Sequence, residues 1–253
     1  RRQGPARRGT GRVSRIVGRG DAGGDLSPSP AAARFGERRM RIDAVIFDCD
    51  GTLVDSELLA NTILVECAAR CGLRMTVEEA MQRYVGGRMA DCVADLERKL
   101  GCRLPDEFVP DVRARTAAAF RAGLEPVEGA RELLQALRMP FCVASSGPAE
   151  KVELSLGVTG LLPFFASDRI FSAYDVGCWK PDPGLFLHAA RAMGVRPARC
   201  AVVEDSLPGI NAGIAAGMPT FWLRPPDDIP ESVTPLARLA DLPRLLSGAT
   251  VNR

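Results

Sequence analysis

The run FDCDGTLVDS, residues 47–56, sets two carboxylates one residue apart at the end of an apolar stretch. In extended backbone alternate side chains project to one side, so Asp48 and Asp50 face the same way. Neighbouring carboxylates repel unless a cation or a shared proton relieves them, and no Arg or Lys lies nearby in sequence. Oxygen donors of this kind suit a hard divalent cation, of which Mg2+ is the common one. Gly51, lacking a side chain, lets the backbone approach a phosphate oxygen closely. The Asp-x-Asp triplet alone is near chance frequency. An apolar strand running into D-x-D-G-T-L-V-D-S is far more restrictive.

Three further segments place polar residues at strand ends or in the loops that follow them. In FCVASSGP (residues 141–148) Ser145 and Ser146 precede a helix, where hydroxyls and free amides suit a phosphate; alone, they read equally as a helix cap. In CWKPDPGLF (residues 178–186) Lys180 stands directly before an Asp182-Pro183 helix start. A lone Lys is usually a solvated charge. In CAVVEDSLPGI (residues 200–210) the acids Glu204 and Asp205 end an apolar strand, as metal ligands or as a turn with a capping Asp. Each segment is weak alone. Their order (acids, hydroxyls, lysine, acids) carries the argument.

Positioning these groups requires strands that end together. Apolar stretches at 42–47, 141–144, 169–172, 200–203 and 220–223 read as short strands. Helical patterns follow or precede them at 130–137, from about 148, at 183–193, at 207–216 and at 235–246. Strands alternating with helices predict an α/β fold, a Rossmann-like parallel sheet covered on both faces, with ligands at the strands' carboxyl ends. Residues 57–122 contain no convincing strand. There Leu59, Ile63 and Cys67 lie four apart, and Met89, Cys92, Val93, Leu96 and Leu100 follow one helix face, which predicts a small helical domain.

The remaining composition bounds the reading. The chain has 253 residues and a net charge of +2; residues 1–39 carry ten Arg and three acids, a balance of +7, which leaves −5 for the rest. That Arg- and Gly-rich tail has no apolar periodicity and is expected to be disordered. It reads as a transit peptide or, in preference, as an upstream extension with Met40 as the start. The acidic remainder gives no basic face for nucleic acid, and no 18-residue apolar run suggests a membrane span. The eight Cys form no C-x-x-C pair and the single His is His188, so a Cys/His zinc site is not indicated. Cys142 and Cys200 sit in apolar runs and read as core residues, in keeping with a reducing cytoplasm.

Taken together, FDCDGTLVDSE, SGP, WKPDP and the helix LFLHAARAMGV resemble the haloacid dehalogenase (HAD) superfamily of phosphohydrolases. The likeness is to the β-phosphoglucomutase-like subgroup and, within it, to the bacterial 6-phosphogluconate phosphatases. It covers residues 42–223. The resemblance implies a HAD-fold core over residues 40–56 and 123–253, with residues 57–122 as an inserted helical cap. It implies Asp48 as nucleophile and metal ligand, and Asp50 as general acid/base with its backbone carbonyl on Mg2+. Ser145 and Lys180 then match the phosphate-binding pair, and Glu204 and Asp205 the acids that complete the metal site. The implied activity is Mg2+-dependent hydrolysis of a small phosphorylated metabolite, a sugar phosphate or a sugar-acid phosphate such as 6-phosphogluconate, through an aspartyl-phosphate. No nucleic-acid or membrane partner is implied, and a cytoplasmic monomer is expected.

For substrate selection the cap polars of QRYVGGRMAD come forward, chiefly Arg83, Arg88 and Tyr84. A basic residue such as Arg88 would suit a sugar-acid carboxylate, although both arginines read equally as solvated charges. A β-phosphoglucomutase-type phosphosugar mutase is the alternative. It is disfavoured because that group's His, four residues after the position of Ser56, is Ala60 here. Trp179 departs from the glycine usual before the motif lysine.

Overall fold

The computed structural model describes residues 41–248; the expectation for the basic tail of residues 1–39 lies outside them. Strand β1 (Ala44–Phe47) is buried along its whole length. After it come four helices, α1 (Glu57–Arg70), α2 (Val77–Tyr84), α3 (Met89–Leu100) and α4 (Phe108–Gly123), with no strand among them. Thr76 and Glu79 close a reciprocal capping box at the start of α2, and Gly101 ends α3 with a φ of 71° that a side chain would strain.

Regular alternation follows: α5 (Ala130–Ala136), β2 (Phe141–Ser145), α6 (Ala149–Val158), β3 (Ile170–Ser172), α7 (Ala173–Val176), α8 (Gly184–Ala192), β4 (Cys200–Glu204), α9 (Leu207–Ala215), β5 (Thr220–Leu223), β6 (Val233–Leu236) and α10 (Leu242–Gly248). The six strands form one sheet of order β3-β2-β1-β4-β5-β6, and every pairing is parallel. A parallel sheet needs cover on both faces. Val45 and Phe47 face one buried cluster with Val143, Ala201, Val203 and Phe221. Ala44 and Ile46 face the other, with Cys142, Cys200, Val202, Leu185 and Phe186. Cys142 and Cys200 are core residues as expected, and all eight cysteines are free. No described helix is long and apolar enough to cross a membrane.

The C-terminal expectation needs correction. A helix over 235–246 is replaced by strand β6 and a later helix from Leu242. Val233 and Leu236 are buried while Thr234 and Pro235 are not, and Pro235 stands opposite Trp222 in the ladder. An edge strand tolerates the missing N–H of proline, so burial of Val233 and Leu236 prevails over the helical pattern.

The four-helix insert has an apolar cluster of its own, built on Leu64, Cys67, Cys92, Leu96, Leu104, Phe108 and Val112. Leu96 is fully buried there. Leu96→Ala is expected to destabilise the protein by about 2–5 kcal/mol, read as a lowered midpoint in denaturant unfolding; an unchanged midpoint would mean that this cluster is not a core.

Candidate active site

The chain leaves β1 towards β2 and β3, then returns to β4 on β1's other side. The crevice between β1 and β4 is therefore the point where strand order reverses, the place at which open α/β sheets gather ligands. Phe47 pairs with Val203, and the Asp48 N–H donates to the Val203 carbonyl at 3.0 Å. Asp48 and Glu204 thus leave the sheet side by side.

Lys180 is buried between them, 4 % exposed. Its Nζ donates to Asp48 Oδ1 and, at 2.6 Å, to Glu204 Oε1; the Phe186 ring lies 5.0 Å away. Glu204 is fully buried and also accepts from the Ser206 N–H and Oγ, at 2.8 and 2.9 Å. Oxygens of Asp48, Glu204 and Asp205 lie within 4.8 Å of one another. Burial pushes the carboxyls of Asp48 and Asp205 well above the usual range, with neighbouring acids adding to it and Lys180 opposing it. Burial works against the Lys180 ammonium, yet Asp48 and Glu204 raise it above its ordinary value. One ammonium faces three crowded carboxylates. This all-oxygen donor set fits a hard divalent cation held by Asp48, Glu204 and Asp205.

The turn after β1 is shaped around Asp205. Gly51 adopts a φ of 73°, and a Cβ there would lie 2.0 Å from Asp205 Oδ2. Thr52 Oγ1 donates to Asp205 Oδ1 at 3.0 Å, and Trp222 Nε1 donates to the Asp205 carbonyl at 2.9 Å. The sequence reading placed Gly51 against a phosphate. The structure instead gives its clearance to the Asp205 carboxylate, and Gly51 does not line the cavity described next.

That cavity, of about 400 Å³, opens between the sheet ends and the helical insert. Asp48, Asp50, Ser145, Ser146, Lys180 and Glu204 all line it. Ser145 Oγ accepts from the Gly147 N–H at 3.0 Å, which leaves its own proton free to donate. Ser146 Oγ is buried without a hydrogen-bond partner, a vacancy that an incoming oxyanion would fill. The Asp50 side chain turns away from the three-carboxylate group: Ser56 Oγ donates to its Oδ1 at 2.7 Å and Lys151 Nζ at 2.8 Å. Burial opposes the Asp50 charge, but Lys151 and Ser56 hold its carboxyl below the usual range.

Arg83 and Arg88 do not reach this cavity. They line a second, smaller pocket. Arg83 is paired with Asp95 at 3.1 Å, an acid that also accepts from Tyr84 and Arg98. Arg88 lies 4.6 Å over the Trp179 ring. Of the three cap polars only Tyr84 lines the main cavity, which takes its arginines from α4 instead: Arg113 and Arg121.

Sequence reading also missed Lys151 and Glu57. Lys151 had a local signal, a cation in the first turn of α6, where the helix dipole disfavours it. Glu57 lines the cavity, and its Oε2 accepts from Asn61 at 3.1 Å. Burial, with the Asp50 charge beside it, raises its carboxyl to about 7.

Two outcomes follow. A Cβ at Gly209 would fall 1.8 Å from Glu204 Oε1, and Glu204 is pinned by Lys180 and Ser206. Gly209→Ala is expected to weaken Mg2+ binding about 10- to 100-fold in titration calorimetry; unchanged affinity would remove Glu204 from the proposed metal set. For Glu57 the folded carboxyl titrates above the unfolded one, so stability is full below the unfolded value of 4.5 and is lost as pH rises through about 7. In metal-free buffer Glu57→Gln should therefore raise the melting temperature more at pH 8 than at pH 5, and an equal rise at both would contradict the shift.

Comparison with known proteins identifies the family. The family model for haloacid dehalogenase-like hydrolases matches residues 42–217. The chain is 40 % identical over 210 residues to the 6-phosphogluconate phosphatase of Escherichia coli strain K12, covering 81 % of this chain and 95 % of that protein. It is 31 % identical over 176 residues to the validoxylamine A 7'-phosphate phosphatase of Streptomyces hygroscopicus subsp. limoneus, covering 68 % and 81 %. Among solved structures, a HAD family hydrolase from Deinococcus radiodurans with bound phosphate and sodium superposes with a TM-score of 0.66 at 30 % identity, over 85 % of this chain and all of that one. A family model that spans residues 42–217 and a relative 40 % identical over 81 % of the chain place it plainly: it belongs to the haloacid dehalogenase-like hydrolase family.

Proposed function

We propose that this hydrolase is a phosphatase that removes the phosphoryl group from a small sugar phosphate or sugar-acid phosphate, with 6-phosphogluconate as the leading substrate and Mg2+ as its metal. The observation that carries the reading is the convergence of Asp48, Asp50, Ser145, Ser146 and Lys180 on one cavity at the β1/β4 crevice. The helical insert, residues 57–122, acts in this reading as a cap over the sheet ends, residues 40–56 and 123–253.

In the reaction, the Asp48 carboxylate attacks phosphorus; the P–O bond to the sugar breaks and an aspartyl-phosphate forms. Lys180 and the hydroxyls of Ser145 and Ser146 hold the phosphoryl oxygens and offset their charge. A divalent cation bound by Asp48, Glu204 and Asp205 would add further charge neutralisation, letting an anion approach an anion. Asp50 gives a proton to the departing alcohol and takes one from the water that cleaves the acyl-phosphate. The pairing with Lys151 and Ser56 keeps Asp50 ionised, so the observed arrangement corresponds to the base half of the cycle. The mutase alternative lacks support at Ala60, which packs against the core cluster and offers no proton-transfer group.

Asp48→Asn is expected to reduce phosphate release from 6-phosphogluconate by at least about 1,000-fold, since the nucleophile is lost, while circular dichroism stays unchanged. Excess EDTA should stop the wild type, and added Mg2+ should restore it. Full turnover by the variant or in EDTA would falsify this mechanism.

A further inference from the structure

Four cationic side chains line the main cavity: Lys151, Lys180, Arg113 and Arg121. The two lysines are neutralised in place, Lys180 by Asp48 and Glu204 and Lys151 by Asp50. Among the described residues neither arginine has a carboxylate within ion-pair distance; the ion pairs of α4 are those of Asp111, with Arg115 and with Arg70 of α1. Arg113, Ala117 and Arg121 recur every four residues and all line the cavity, so they form one row along the helix. The alanine between them leaves room for a ligand. About 12 Å of helix rise separates the outer two.

Of the pair, Arg113 is held by a neighbouring side chain. Its Nη2 donates to Tyr174 Oη at 3.1 Å, and its guanidinium lies 5.6 Å from the Tyr174 ring centroid. Tyr174 follows β3, belongs to the core and lines the same cavity. It holds the guanidinium through a hydroxyl and a ring face rather than through a carboxylate. An oriented, uncompensated guanidinium presents a planar fork that matches a carboxylate. Glu57 and Glu150 also line the cavity, but neither lies on the α4 row.

We infer that Arg113, oriented by Tyr174, binds a carboxylate at the end of the substrate remote from the phosphate, so that the enzyme selects phosphate esters of sugar acids over those of neutral sugars. The inference rests on the phosphatase reading above and narrows its substrate class. Arg113 takes the selecting role that the sequence suggested for Arg88.

The test compares 6-phosphogluconate with glucitol 6-phosphate, which keeps the carbon chain and replaces the carboxylate with a CH2OH group. Phosphate release is measured with Mg2+ for the wild type, Arg113→Gln, Arg113→Lys and Tyr174→Phe. The wild type should prefer the acid. Arg113→Gln should lower kcat/KM on the acid about 10- to 100-fold, the scale of a lost charged hydrogen bond, chiefly through KM, and by several-fold less on the alcohol. Arg113→Lys should recover part of the preference, and Tyr174→Phe should lose a smaller part of it. A preference unchanged by Arg113→Gln, or an equal fall on both substrates, overturns the inference and leaves the phosphatase standing. A wild type that hydrolyses neither compound, nor any sugar phosphate, overturns the phosphatase reading itself.

Discussion

The crowding of negative charge between β1 and β4 governs the rest of this structure. Parallel pairing places Asp48 and Glu204 at adjacent strand ends, and Asp205 follows at once. Carboxylates taken out of water are unfavourable unless paired and hydrogen bonded. Lys180 supplies the one buried ammonium among them, and its placement depends on the body of the core. Its helix, α8, presses Leu185 and Phe186 into the cluster beneath the sheet, which anchors the loop that carries the lysine. Glu204 is saturated by Lys180 and Ser206, whereas Asp205 is left with only Thr52 on its carboxylate. The unsatisfied side of the group is where a cation with oxygen ligands belongs. Gly51 and Gly209 are glycines for the same reason: each gives up its side-chain volume to one of these acids.

Helix α4 joins the two parts of the molecule. Val112 packs in the insert's own cluster while Phe120, two turns on, packs in the main cluster of the core. A helix buried at both ends in different clusters fixes the row of residues between them. This is why Arg113, Ala117 and Arg121 can line the cavity with a defined spacing. The sheet ends then supply chemistry that depends only on a phosphoryl group, and α4 supplies the groups that meet the remainder of the substrate.

The strand-end acids and hydroxyls were legible because they follow apolar runs, and the sheet brings such ends together whatever the intervening sequence; Lys180 was legible from the Asp182-Pro183 helix start that it precedes. Arginine roles were not legible in this way. Arg83 and Arg88 stand beside a Gly-Gly loop and look exposed, but their fate depends on Asp95, twelve residues from Arg83, and on Trp179, across the fold. A buried acid collects nearby cations, and nothing in local sequence announces which ones. Arg113 and Arg121 were overlooked for the converse reason: they lie in a polar helix beside Arg115, which does form a surface ion pair. The sixth strand was hidden by Pro235, and the role of Gly51 by an acid 154 positions further along.

The anchoring of Asp50 bears on why hydrolysis is favoured over phosphoryl transfer between sugar positions. A mutase must keep water from the phosphorylated aspartate until its second substrate arrives, which calls for an acid/base whose placement responds to closure. Here the Asp50 carboxylate is held by Ser56, in the turn just before α1, and by Lys151, in the first turn of α6. Lys151 belongs to the core, and its Nζ lies 5.8 Å from the centroid of the Phe120 ring, a member of the main apolar cluster. An acid/base held by Ser56 and Lys151 is in place before closure, and its ionised form is restored once its proton has been given up. It can draw a proton from any water that reaches the acyl-phosphate. In the proposed aspartyl-phosphate mechanism Ala60 offers no competing group, so turnover of the intermediate would fall to water, and hydrolysis is the outcome that the anchoring of Asp50 would favour.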